Sequence, residues 1–258
     1  MKYRRLPLLL AALITFTGAV ADGAGTDLPF HPGERLTFRV RWAFFPAGEA
    51  VLEILPQETV NGIRAHHFSM SSKTYEFIDL FYKVRDRIDA YTDEKVTRSI
   101  LYKKRQEGKS KRDIAVTFDW EKREAQYSNF GEKGAPIAIL PGSLDPLSVF
   151  YAFRLSPLAE GAEIKVPVTD GKKSVMGKAQ VIKREKIKVG EVLYDTYLVE
   201  PDLEHVGGVF EKSREAKVRI WVTADERRIP VRFESEVIVG SFIAELIAFE
   251  TKKADQGS

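Results

Sequence analysis

The chain has 258 residues, no cysteine, 40 Lys and Arg against 37 Asp and Glu, and a formal net charge of +3. Without cysteine there can be no disulfide staple, thiolate nucleophile or Cys-ligated metal, so stability must come from a packed core. The three excess cations are Lys2, Arg4 and Arg5 and residues 22–258 are charge-balanced, which removes the electrostatic case for a nucleic-acid partner.

Those three cations open the first predicted element. Residues 6–16 are apolar except for Pro7 and Thr15, and Ala19 and Ala21 place small residues where a signal peptidase reads them. The segment reads as a secretory signal cleaved after Ala21. Its apolar run is about half of the roughly 20 residues that a membrane-crossing helix requires. No cysteine follows to take a lipid anchor. The expected product is periplasmic and not membrane-spanning after cleavage. A single β-rich domain is expected over residues 22–251, with a polar, disordered tail at 252–258.

From residue 36 onward the pattern has period two. In Leu36-Thr37-Phe38-Arg39-Val40-Arg41-Trp42 every second residue is apolar, the mark of a strand with one face in a core. Phe44-Phe45-Pro46-Ala47-Gly48 breaks this run and residues 50–55 resume it, as a hairpin would. Similar runs recur near 65–71, 83–91, 97–106, 111–118 and 124–130, and after an interruption at 131–142 they continue from 163 to 251. Asn61-Gly62, Glu107-Gly108-Lys109, Asp170-Gly171 and Val189-Gly190 supply turns. Helical spacing appears twice, at 74–82 and at 147–154, the second opened by Asp145 as a cap and Pro146 in the first turn. Together these predict a mainly β protein: one large, strongly curved antiparallel sheet or open barrel of about eleven strands, with two short helices.

Several of these stretches carry a resemblance. Gly33-Glu34-Arg35-Leu36, Ala47-Gly48-Glu49-Ala50, Leu144-Asp145-Pro146-Leu147-Ser148 before an aromatic helix ending in Arg154, and Val218-Arg219-Ile220-Trp221-Val222 ahead of Asp225 and Arg228-Ile229-Pro230-Val231 occur in this order. In these motifs the chain resembles domain-of-unknown-function family 3108, a group of exported bacterial proteins. The resemblance implies a secreted, mostly β protein and brings no catalytic residues.

The chemistry-bearing residues are spread thinly. His66 and His67 are adjacent, so on a strand they point to opposite faces and cannot chelate one ion together; His31 and His205 lie in loops. Ser143 and Ser148 flank Asp145 as turn and cap formers rather than nucleophiles. Asp79, Asp86 and Asp89 interleave with Arg85 and Arg87, as in a charged strand face. No catalytic residue, metal or cofactor is expected.

Two features remain as candidate sites. The first is aromatic: Trp42, Phe44 and Phe45 around the first hairpin, Phe77, Phe81 and Tyr82 on the first helix, and Phe150 and Tyr151 on the second. These rings either line a cleft for an apolar ligand or close the sheet's open face. The second is a basic hairpin, Lys103, Lys104, Arg105, Lys109, Lys111 and Arg112, which suits either an anionic surface or a solvated edge. The expected function is non-enzymatic binding of an apolar or amphiphilic ligand, with a lipid, hydrophobic peptide or envelope protein as partner. A structural or assembly role in the envelope is the alternative, and a polysaccharide or cell-wall hydrolase comes last.

Overall fold

The structure, a computed structural model, describes residues 28–108, 111–202, 217–237 and 240–251. The expected signal segment, Lys109, His205 and the tail after residue 251 lie outside the described residues.

Two runs of sequential antiparallel strands make one sheet. The first run is β1 (Glu34–Trp42), β2 (Phe45–Val60), β3 (Ile63–Thr74), β4 (Val84–Thr92), β5 (Ser99–Gly108), β6 (Arg112–Asp119), β7 (Glu124–Asn129) and the two-residue β8 (Glu132–Lys133), with β9 (Ile137–Ala138) also paired to β7. The second run is β10 (Glu163–Thr169), β11 (Ser174–Val189), β12 (Val192–Asp202), β13 (Lys217–Thr223), β14 (Pro230–Val237) and β15 (Gly240–Thr251). The chain's last strand joins the runs by pairing with its first, from Glu34 opposite Thr251 to Trp42 opposite Phe242. Two short helices interrupt the strands, α1 (Glu76–Asp79) and α2 (Ser148–Phe153).

The mainly β, antiparallel character is as expected, but the strand number and shape need correction. Among the described residues there are fifteen strands rather than about eleven, and their ladder is neither closed nor rolled up through its own pairing, because β10 and β8 remain its two ends. Part of the excess comes from residues 131–142, read as an interruption, which contribute β8 and β9. β2 also starts earlier than the hairpin break suggested. A register shift between Val40 and Arg41 sets Pro46 opposite Arg41, so the proline's missing N–H falls at a bulge.

A segment outside the main ladder ties the two arms. Ile139 N–H bonds Arg123 O, Leu140 N–H bonds Ser174 Oγ, Leu144 N–H bonds Pro167 O, and Ser99 N–H bonds Ser143 O. Residues 137–144 therefore touch β5, β7, β10 and β11. Immediately after them stands Asp145, whose Oδ1 accepts the N–H groups of Leu147 and Ser148, both at 2.9 Å, and so caps α2 as expected. Its Oδ2 takes the hydroxyls of Ser99 and Ser148, each at 2.5 Å. Burial pushes the Asp145 carboxyl above its ordinary range, against the pull of these four donors.

The core is built around aromatic rings. Tyr151 of α2 stacks on Phe68 with ring centres 3.9 Å apart, and Phe30 meets both rings edge-on. Phe38 and Phe150 both pack on Phe233, and Leu36, Ile54 and Val116 complete the buried layer.

Candidate functional site

The strands share two ends, and these differ in kind. Where β1 begins, α2 closes the end with a buried ion pair: Arg154 is 0% and Glu34 5% exposed, with contacts of 2.5 and 3.0 Å between guanidinium and carboxylate. Arg154 also donates to Arg227 O at 3.0 Å, and its charge lies over the Phe30 ring at 5.1 Å. The Ser and Asp groups that could have suggested hydrolysis sit here, each used on another: Ser143 Oγ donates to Leu140 O, and Ser148 and Ser99 donate to Asp145.

Where β1 ends, no element among the described residues caps the sheet, and its connections carry rings outward. Pairing fixes the neighbours. Trp42 is opposite Phe45 and Phe242, Gly48 opposite Thr74, Val84 opposite Gly108, and Val237 opposite Gly240. The β1–β2 turn, the α1 connection, the β5–β6 hairpin and the β14–β15 turn therefore share this end. Phe44 is 92%, Leu80 79%, Phe81 78% and Phe77 65% exposed, and Phe45, Tyr82 and Phe130 are also more than half exposed. Phe77 and Phe81 meet edge-to-face at 5.8 Å. On β1 the face that buries Leu36 and Phe38 continues outward as Val40 and Trp42, leaving the core for the surface.

Two glycines allow this packing. A Cβ on Gly48 would lie 2.1 Å from Lys73 O, and one on Gly108 would lie 2.3 Å from Lys83 O. Neither has room for a side chain, so both hold the backbone of the α1 connection against β2 and β5. Tyr75 N–H bonds Ala47 O, and Arg85 grips Asp79 at 2.5 Å, fixing the base of α1. Hydrogen bonds from Thr74 and Arg85 hold the Asp79 carboxyl below its usual range.

The expected aromatic residues thus divide. Trp42, Phe44, Phe45, Phe77, Phe81 and Tyr82 gather at the open end, whereas Tyr151 is 1% exposed and Phe150 is half-buried, both filling the core. Among the basic residues, Lys103, Arg105 and Lys111 are exposed and Arg112 is half-exposed. Lys104 corrects the expectation of a continuous surface run: it is 7% exposed, because alternation puts it on the face of Tyr102 and across from Ile88 and Ile114. Sequence reasoning passed over Leu80, Phe130 and Lys83, and only their position in connections at the same end singles them out.

His66 and His67 are buried and hydrogen-bonded. His66 stacks beside Phe68 and donates from Nε2 to Glu94 O at 3.1 Å; burial lowers its pKa. His67 points to the other face, between Glu58 at 2.6 Å and Asp89 at 2.9 Å. Burial works to raise the Asp89 pKa, but hydrogen bonds from His67 and Arg87 outweigh it and hold the carboxyl well below the ordinary range. Among the described residues no cluster of His, Asp and Glu has the arrangement of a metal site. A groove of about 360 Å³ runs between the β11–β12 turn and β15; of its two carboxylates, Glu245 is tied to Arg41 at 2.8 Å and Glu191 to Lys188 at 3.1 Å. It contains no Ser or His.

These features define an antiparallel β-sheet protein with a core built around aromatic rings, one sealed end and one aromatic end. More particularly, the chain belongs to the family DUF3108, a protein of unknown function, whose model matches residues 37–247. No curated protein matches the chain in sequence. Among solved structures, a β-barrel-like protein of the DUF1849 family from Brucella abortus is similar in fold, with TM-score 0.58 at 8% identity, covering 85% of this chain and 98% of its own. A candidate exported protein of Bacteroides fragilis with a YmcC-like fold (TM-score 0.39, 9% identity, coverage 87% and 98%) and a candidate lipoprotein of Parabacteroides distasonis (0.35, 12%, 86% and 97%) are more distant. Among the described residues no helix is long and apolar enough to cross a membrane.

Proposed function

We propose that the protein is an exported, non-enzymatic envelope factor that engages an apolar or amphiphilic partner through its aromatic end, outside the sheet rather than within it. The observation that carries this reading is the gathering of Phe44, Phe45, Phe77, Leu80, Phe81 and Tyr82, all mostly exposed, on two neighbouring connections. Single exposed apolar residues are ordinary, but a contiguous group of large rings marks a contact surface. An internal ligand is disfavoured because Phe30, Phe38, Phe68 and Tyr151 occupy the space it would need. Export follows from the basic, apolar and small-residue segments of residues 1–21.

The test is co-migration with dodecylphosphocholine micelles in gel filtration. Wild-type protein should shift with the micelles, and Phe44→Ser/Phe77→Ser/Phe81→Ser should not, while melting at the wild-type temperature. A wild-type chain that ignores micelles, or a variant that still binds them, overturns the reading.

A further inference from the structure

The aromatic end does not stand alone. Lys83 closes the α1 connection directly after Phe81 and Tyr82, and it is exposed. The β5–β6 hairpin lies against it, with Val84 paired to Gly108 and no room for a Cβ at Gly108 beside Lys83 O. Of the described cations in this hairpin, Lys103, Arg105 and Lys111 are exposed and Arg112 is half-exposed, while Lys104 faces the core. The carboxylates nearest the rings are largely committed: Asp79 to Arg85, and Glu49 to Lys73 at 3.2 Å. Glu76, Glu107, Asp113 and Glu132 are exposed acids of this end, and Glu236 is tied to Arg219 at 3.2 Å.

From this juxtaposition we infer that the partner is the surface of an anionic phospholipid bilayer, met end-on. This rests on the reading that the aromatic end is the contact surface and names what it contacts. The chemistry fits in three respects. Phe, Tyr and Trp side chains favour the headgroup–acyl boundary, where an apolar body and a wet rim coexist. Rings standing out from several short connections suit a fluid boundary that moulds itself to them, whereas a folded protein partner needs a complementary shape. Cations beside the rings add attraction to an anionic leaflet, and neither contribution alone gives firm attachment. Among the described residues, the opposite end, sealed by α2 and the Glu34–Arg154 pair, presents no comparable group of rings.

Flotation of the mature chain with phosphatidylglycerol-containing and with pure phosphatidylcholine vesicles tests the inference. The protein should float with the anionic vesicles and several-fold less with the neutral ones. Lys83→Glu/Lys111→Glu should lower binding to anionic vesicles by about tenfold or more, at roughly 1 kcal/mol per basic residue near the surface, with micelle binding retained. Brominated acyl chains should quench Trp42 fluorescence in wild type and leave Trp42→Phe without a quenched component. Binding that is equal on both vesicles, or unchanged in the charge-reversed variant, overturns the anionic surface but not the aromatic contact. Absence from all vesicles with micelle binding intact overturns the bilayer and leaves the contact reading standing. Loss of both removes both.

Discussion

Replacing Arg154 by Met should be among the most damaging single changes in the molecule. The guanidinium is fully buried, and its loss would leave Glu34, 5% exposed, as an uncompensated carboxylate at the start of β1. Removing one partner of a buried pair costs about 3–5 kcal/mol. Arg227 O would also lose a donor, and Phe30 and Tyr151 would lose the cation beside them at 5.1 and 5.9 Å. For a chain of this size each kcal/mol corresponds to about 2–4 °C in melting temperature, so a drop of about 6–20 °C is expected. Glu34→Leu should do similar damage for the mirror reason. The double variant, Glu34→Leu/Arg154→Met, replaces the pair with apolar groups and should recover most of the loss, since such exchanges are often neutral. Urea denaturation of the four proteins, read as a double-mutant cycle, checks this. If Arg154→Met costs less than about 1 kcal/mol, or the double variant is as unstable as the two singles added together, the pair does not seal this end of the sheet.

Phe68→Ala removes a fully buried ring from the stack with Tyr151, and should cost about 3–5 kcal/mol in the same urea titration. Gly48→Ala puts a methyl into Lys73 O and should destabilise by about 1–3 kcal/mol, with faster amide exchange concentrated at residues 73–75. His66 is held below its ordinary pKa by burial, so between that lowered value and about 6.5 the unfolded chain binds more protons than the folded one. Stability should therefore rise with pH through this window and be lost on acidification, and His66→Gln should flatten the difference between unfolding free energies measured at pH 5 and pH 8.

Much of this fold can be read locally. Alternation in residues 36–42 gives both the strand and its core face, and Asp145-Pro146 announces α2 because a cap and its helix are neighbours in the chain. Elements whose cause is remote are not readable in this way. β8 and β9 are two residues each and exist only because β7 lies alongside. The Glu34–Arg154 pair joins residues 120 apart. Lys104 sat in plain view as part of Lys-Lys-Arg, where composition suggested surface, yet the alternation with Tyr102 already placed it inward. For the aromatic residues, helical spacing put Phe77, Phe81, Phe150 and Tyr151 in one class. Only the three-dimensional ends separate them, α2 reaching back over the core and α1 standing clear of it.

The pairing of β15 with β1 has a consequence for how the molecule comes into being. A chain synthesised N-terminus first can build β1 to β8 as consecutive hairpins while the remainder is still emerging, because each of those contacts is local. The outer edge of β1, however, stays vacant until residues 240–251 have arrived, more than two hundred positions later. Contacts of such separation form slowly, and an unpaired strand edge is a template for the wrong partner. Holding that edge unoccupied through the delay is a task for chaperones, and truncation before residue 240 should leave a product that aggregates rather than a smaller version of the same sheet.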